Sequence, residues 1–219
     1  MKDGTVSETR LNDAVMRILA LKARVCFQHT CTCVVDSAHW HRIAAEKSVT
    51  LVKSLEPDVF PITPERYPRI RLILLGKDTI LEGQISQIAS GLLAEKGFDV
   101  EIYDPLADDL HGTGDLPQDR LTLTLANYEQ ASNQTTVRIF FSKKHALDSP
   151  RFLNEEKCVF VSLANPYLLQ DVPRMKTYIN AYTATRTVIG LVIEKLMNGG
   201  PFSGISPVDA FCGLPDTHI

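Results

Sequence analysis

At 219 residues, with 44% hydrophobic and 22% charged side chains, the chain has the composition of a globular protein that buries its own core. A formal net charge of −3 supplies no basic face, which argues against nucleic acid as a partner. No apolar run reaches the ~18 residues of a membrane span, and Met1 to Arg10 is polar where a secretory signal would be apolar. Taken as it stands that points to the cytoplasm; for a piece of a longer protein it carries no localisation.

In chain order, residues 8 to 24 predict an amphipathic helix with Ser7 as its N-cap and Leu11, Val15, Ile18 and Leu19 on one face. A stretch without periodicity, about Phe27 to Val35, follows. Ser37 then caps a second helix carrying Trp40, Ile43 and Ala44, and Val49-Thr50-Leu51-Val52 is short and β-prone. Four prolines between Pro57 and Pro68 suit an ordered surface connection. Ile70 to Leu75 predicts a strand ending at Gly76. Residues 80 to 96 predict a helix with Ile85, Ile88, Leu92 and Leu93 inward, closed by Gly97.

Phe98 to Tyr103 reads as a strand, 104–119 as a loop, 121–130 as a short helix and 136–141 as a strand. Further strands are expected at 158–163 and 176–182, and a closing helix at 185–197 ahead of Gly199-Gly200. Nearly continuous apolar strands alternating with helices imply an α/β sandwich, a mostly parallel five- or six-stranded sheet with helices on both faces. Periodicity alone goes no further than that fold.

Four ordered strings go further. The first comprises Lys2-Asp3-Gly4, Ser7-Glu8, Arg10-Leu11 and Arg17 to Lys22. The second runs through His41-Arg42, Ala44 to Ser48 and Thr50 to Lys53. The third is the proline-flanked turn Phe60-Pro61-Ile62 with the strand Ile70 to Gly76. The fourth contains Val161 to Leu169, Pro173 and Thr177 to Tyr182. Together they resemble the C-terminal half of family 3 glycoside hydrolases, in the β-N-acetylhexosaminidase branch. Gly199 to Val208 looks like a degraded form of that branch's closing segment. The likeness departs from the pattern at 27–37 and at 201–219.

That resemblance implies a last barrel-type helix and linker over residues 1–36, and a C-terminal α/β-sandwich domain over 37–219. It also implies that the chemistry lies elsewhere. Retaining glycoside cleavage commonly takes two carboxyls about 5 Å apart. In this family the nucleophile aspartate, and in this branch the Asp-His acid/base pair, come from a (β/α)8 barrel of about 250 further residues. Neither barrel string occurs here. The expectation is therefore a non-catalytic domain without catalytic, cofactor or metal residues of its own. It would pack on a barrel of the same or a separate chain and help shape a site for terminal β-N-acetylglucosamine. The rival reading is a stand-alone carbohydrate-binding or protein-interaction module. A barrel-facing surface left uncovered would be exposed or buried by self-association.

Individual candidates each have a plainer reading. Asp109-Leu110-His111-Gly112-Thr113-Gly114-Asp115 could offer an Asp-His pair to a neighbouring sugar, but it reads more simply as a solvated loop. Cys26, His29, Cys31 and Cys33 could hold zinc, yet structural zinc draws on two separated ligand pairs, so a linker with free thiols is the simpler account. Gly112-Thr113-Gly114 completes no phosphate-binding motif. His41 and His145 read as solvated polar residues and Trp40 as a core residue. Asn165-Pro166-Tyr167 reads as a turn whose tyrosine packs with a polar tip.

Overall fold

The structure, a computed structural model, describes residues 6–25, 36–103, 119–130, 138–141, 153 and 156–219. The chain divides into two compact units, Met1–Ser37 and Ala38–Ile219. In the first, helix α1 (Glu8–Val25) begins where expected: Arg10 N donates to Ser7 Oγ at 3.2 Å. None of its residues is buried; Val15, Met16, Ile18, Leu19, Leu21 and Val25 are all exposed.

The second unit is built on a six-stranded sheet. Its strands are β1 (Thr50–Ser54), β2 (Arg69–Gly76), β5 (Asp99–Ile102), β6 (Arg120–Asn127), β7 (Lys157–Ser162) and β8 (Thr177–Asn180), in the spatial order β1-β8-β7-β6-β2-β5. Every pairing is parallel except β1 against β8, which is antiparallel and irregular between Leu51 and Lys53. A separate hairpin joins β3 (Thr79–Ile80) to β4 (Gly83–Gln84). The mostly parallel α/β sandwich expected from the alternating apolar runs is the fold observed.

Alternation along the strands divides the core. Ile70, Leu72, Leu121, Leu123, Leu125, Val159, Val161 and Ile179 face one side. There they pack with Ile85, Ile88 and Leu93 of helix α3 (Ile85–Glu95) and Val188, Ile189, Leu191, Val192 and Leu196 of helix α4 (Arg186–Asn198). The alternate residues Ile73, Leu75, Ala126, Cys158, Phe160 and Tyr178 face the other side. There the described residues covering them include Leu168 and Leu169 of a 3-10 turn, Val172, Met175 and Phe141. Phe160 and Tyr178, cross-strand neighbours, stack with ring centroids 5.2 Å apart.

Three expectations about local structure are corrected. Residues 121–130 are not a helix: 120–127 form β6, fully buried from Leu121 to Asn127. Alternating Leu and β-branched Thr fit a strand buried on both faces, and sheet packing decides between the two periods. The strand expected at 136–141 is absent over the described 138–141, which carry no regular structure. The helix expected from residue 80 starts at Ile85, because Asp78 caps it: Ser86 N donates to Asp78 Oδ1 at 2.9 Å and Ser86 Oγ to Oδ2 at 2.8 Å. Residues 79–84 are thereby left to form the β3-β4 hairpin.

Helix α2 (Ser37–Ser48) precedes β1 and presents Ala45 to the core, whereas Trp40 is 61% exposed. The core reading of Trp40 is corrected accordingly: its phase on the helix points away from Ala45. Beyond α4 the tail returns to the β1 edge. A Cβ on Gly204 would lie 2.4 Å from Ser48 O and 2.6 Å from Val49 O, so only glycine permits that approach. Lys53, buried in β1, donates its Nζ to Pro173 O at 2.8 Å and Ile219 O at 2.7 Å, and burial lowers its pKa.

Candidate functional site at the carboxyl ends of the strands

In open α/β sheets, ligands bind beyond the carboxyl ends of the strands, near the point where the strand order reverses. Here that reversal falls at β2, flanked by β5 on one side and β6 on the other. The gap between β2 and β6 is closed. Lys77 N donates to Asn127 O at 3.0 Å, and Asn127 Nδ2 returns a bond to Lys77 O at 2.8 Å. Gly76, at φ +83°, makes the approach possible, since a Cβ there would meet Asn127 O at 2.4 Å.

The crevice opens one strand further on, between the ends of β6 and β7. A cleft of about 320 Å³ is lined by Tyr128, Glu129, Gln130, Ala164, Asn165, Pro166 and Tyr167. One wall is a fixed turn: Ser162 Oγ donates to Asn165 O at 2.5 Å, Tyr167 N to Asn165 Oδ1 at 2.9 Å, and Asn180 Nδ2 to Pro166 O at 3.2 Å. The structural reading of Asn165-Pro166 thus holds. Tyr167, however, is 39% exposed and lines the cleft instead of packing away. On the other wall Tyr128 Oη accepts from Phe140 N at 3.3 Å.

Glu129 is the only charged residue among the described lining residues. Among the described residues, the two helix N-termini that could bind an anion at this end are filled by protein carboxylates. Asp78 caps α3, and at α4 Arg186 N donates to Glu82 Oε2 at 2.6 Å beside the Thr185 cap. Among the described residues no group of three His, Cys, Asp or Glu side chains could hold a metal ion.

At the opposite end of the sheet lies a second polar cluster of different character. The Glu156 carboxylate is 1% exposed. Its Oε1 accepts from Arg120 Nη2 at 2.6 Å, and its Oε2 from Arg71 Nη1 at 3.1 Å and Thr122 Oγ1 at 2.8 Å. All three partners are strand residues, so this cluster ties β2, β6 and the start of β7 together. Its role is structural.

Of the positions singled out in the sequence, Asp109 to Asp115, Cys26, His29, Cys31, Cys33 and His145 lie outside the described residues. His41 is half-buried on α2, its Nε2 3.3 Å from Thr185 Oγ1, so it joins the α4 cap region and is not merely solvated. Tyr128, Glu129 and Gln130 were missed because 121–130 reads as a helix; as the residues just past a parallel strand, they stand out.

No family model matches the chain. A β-N-acetylglucosaminidase/β-glucosidase from Cellulomonas fimi is 39% identical to it over 240 residues, an alignment covering all of this chain and 42% of that protein. Among solved structures, the beta-glucoside phosphorylase BglX superposes with a TM-score of 0.80 at 34% identity, over 99% of this chain and 41% of that one. The chain shares its α/β fold with part of family 3 glycoside hydrolases. A family 3 β-N-acetylglucosaminidase from Paenibacillus sp. str. FPU-7, at 18% identity and TM-score 0.57 over 94% of this chain, shares the fold. The chain thus spans about two-fifths of the length of the relatives it matches.

Proposed function

We propose that the chain is the non-catalytic half of a glycosidase acting on terminal β-N-acetylglucosamine. It would pack against a (β/α)8 barrel that carries the nucleophile and the acid, and shape one rim of the sugar site. The observation that carries this reading is whole-chain identity of 39% to a protein named for that activity, of which the chain spans only 42%. The exposed apolar side chains of α1 supply a surface for the barrel, or for a second copy of the chain in its absence.

A second reading concerns the acceptor. Likeness to a beta-glucoside phosphorylase over 99% of the chain favours phosphate in place of water. The described residues offer phosphate no cationic cleft, so in that reading the barrel binds it.

The purified chain should turn over no aryl β-N-acetylglucosaminide above a heat-denatured control. Mixed with the separately produced remainder of the Cellulomonas fimi relative, it should restore cleavage, and addition of inorganic phosphate distinguishes hydrolysis from phosphorolysis. Turnover by the chain alone contradicts the proposal, as does failure of every mixture in which the two parts form a complex.

A further inference from the structure

We infer that one ordered water lies behind the Asn165-Pro166-Tyr167 turn, accepting from Tyr178 Oη and donating to Asn180 Oδ1. Three side chains on one face of the sheet frame the position: Ser162 at the end of β7, and Tyr178 and Asn180 on β8. Ser162 and Asn180 are register partners, and Tyr178, two residues before Asn180, points to the same side. Tyr178 is 0% exposed and the other two 1% each. Polar atoms buried this deeply are hydrogen-bonded with few exceptions, and internal water serves those that the chain itself does not reach.

Two of the three side chains carry an oxygen that no described group meets, Tyr178 Oη and Asn180 Oδ1. Asn180 is oriented by its other arm: Nδ2 donates to Pro166 O at 3.2 Å, so the oxygen is the atom left over. Ser162 already donates its proton to Asn165 O at 2.5 Å and can only accept further. Burial raises the pKa of the Tyr178 phenol, which therefore stays a donor. That phenol lies near Ser162 and the backbone of Leu168 and Leu169, yet makes a well-directed bond to none of them. One donor and two acceptors form the set that a single water completes, accepting from Tyr178 and donating to Asn180 and Ser162. A metal cation fits worse, since these three side chains bring no charge. Because Ser162 and Asn180 also hold Asn165 and Pro166, the water joins the Tyr167 wall of the cleft to the interior of the sheet.

The sign of one conservative change separates a hydrated pair from an empty one. Tyr178→Phe keeps the ring that stacks on Phe160 and removes only the hydroxyl. With the water in place, the variant should raise the unfolding equilibrium constant about fivefold in a urea titration. A hydroxyl without any partner gives the opposite result, because its removal leaves stability unchanged or increased. Amide exchange at Tyr167, whose N–H donates to Asn165 Oδ1, should quicken in the same variant. The position itself is read from a crystal structure of the full chain in which surface waters are resolved. A density peak about 2.8 Å from both Tyr178 Oη and Asn180 Oδ1 is expected. No peak there, a protein side chain filling the position, or a Tyr178→Phe variant at least as stable as wild type each overturns the inference.

Discussion

The two ends of one sheet carry polar clusters of opposite design. At the amino end, Glu156 is enclosed by Arg71, Arg120 and Thr122, and its oxygens are occupied by protein donors. At the carboxyl end, Glu129 and Tyr167 face a cleft. Charge density alone would rank the amino end as the more eye-catching site. Occupancy of the hydrogen-bonding groups reverses that ranking: a satisfied network specifies structure, whereas polar groups left facing a cleft are available to a ligand.

Removing the enclosed carboxylate probes that contrast hardest. Glu156→Ala removes the enclosed carboxylate from two guanidinium groups only 10% and 12% exposed, leaving Arg120 the exposed Glu101 at 3.6 Å. A loss of about 3–5 kcal/mol is expected in a urea titration. A loss below about 1 kcal/mol would mean that this end is wet and the contrast false.

The dryness of the same end has a pH signature. Burial pushes the Cys158 thiol from its ordinary 9.0 up to about 12. A thiol whose folded value is raised contributes stability that is complete below pH 9 and lost as pH climbs towards 12, because the unfolded chain ionises first. At pH 10.5 that amounts to about 2 kcal/mol relative to neutral pH. Cys158→Ser should abolish that part of the alkaline decline; an alkaline limb identical to wild type would show that the thiol is hydrated. At the carboxyl end the effects on stability should be smallest: Tyr167→Ala and Glu129→Gln should each shift unfolding by less than about 0.5 kcal/mol. A larger loss would make the cleft a second structural cluster.

Much of the fold was legible because its elements announce themselves locally. Ile70 to Gly76 and Lys157 to Ser162 are continuous apolar strands, and α4 runs from a Thr185 cap to Gly199 in the left-handed region. Leu121 to Asn127 misled because Leu-Thr-Leu-Thr-Leu suits either period until burial on both faces selects one. Hairpin 79–84 was hidden because Asp78 caps a helix eight residues on, a link that no nearest-neighbour pattern reveals. The cleft was less legible still. Glu129 and Tyr167 are 38 positions apart in sequence, and only the pairing of β6 with β7 brings their loops together. The Asn-Pro-Tyr string signalled a turn, but the exposure of its tyrosine is decided by what lies opposite.

Both flanks of the sheet discourage lateral growth. Along β1 the returning tail passes so tightly at Gly204 that a methyl group would not fit, and Lys53 reaches out to Ile219 O. Along β5 the strand is four residues long, with Asp99 and Glu101 exposed. A neighbouring ribbon would find little backbone to zip onto at either margin. Edge-to-edge strand addition is therefore disfavoured along both described margins of the sheet.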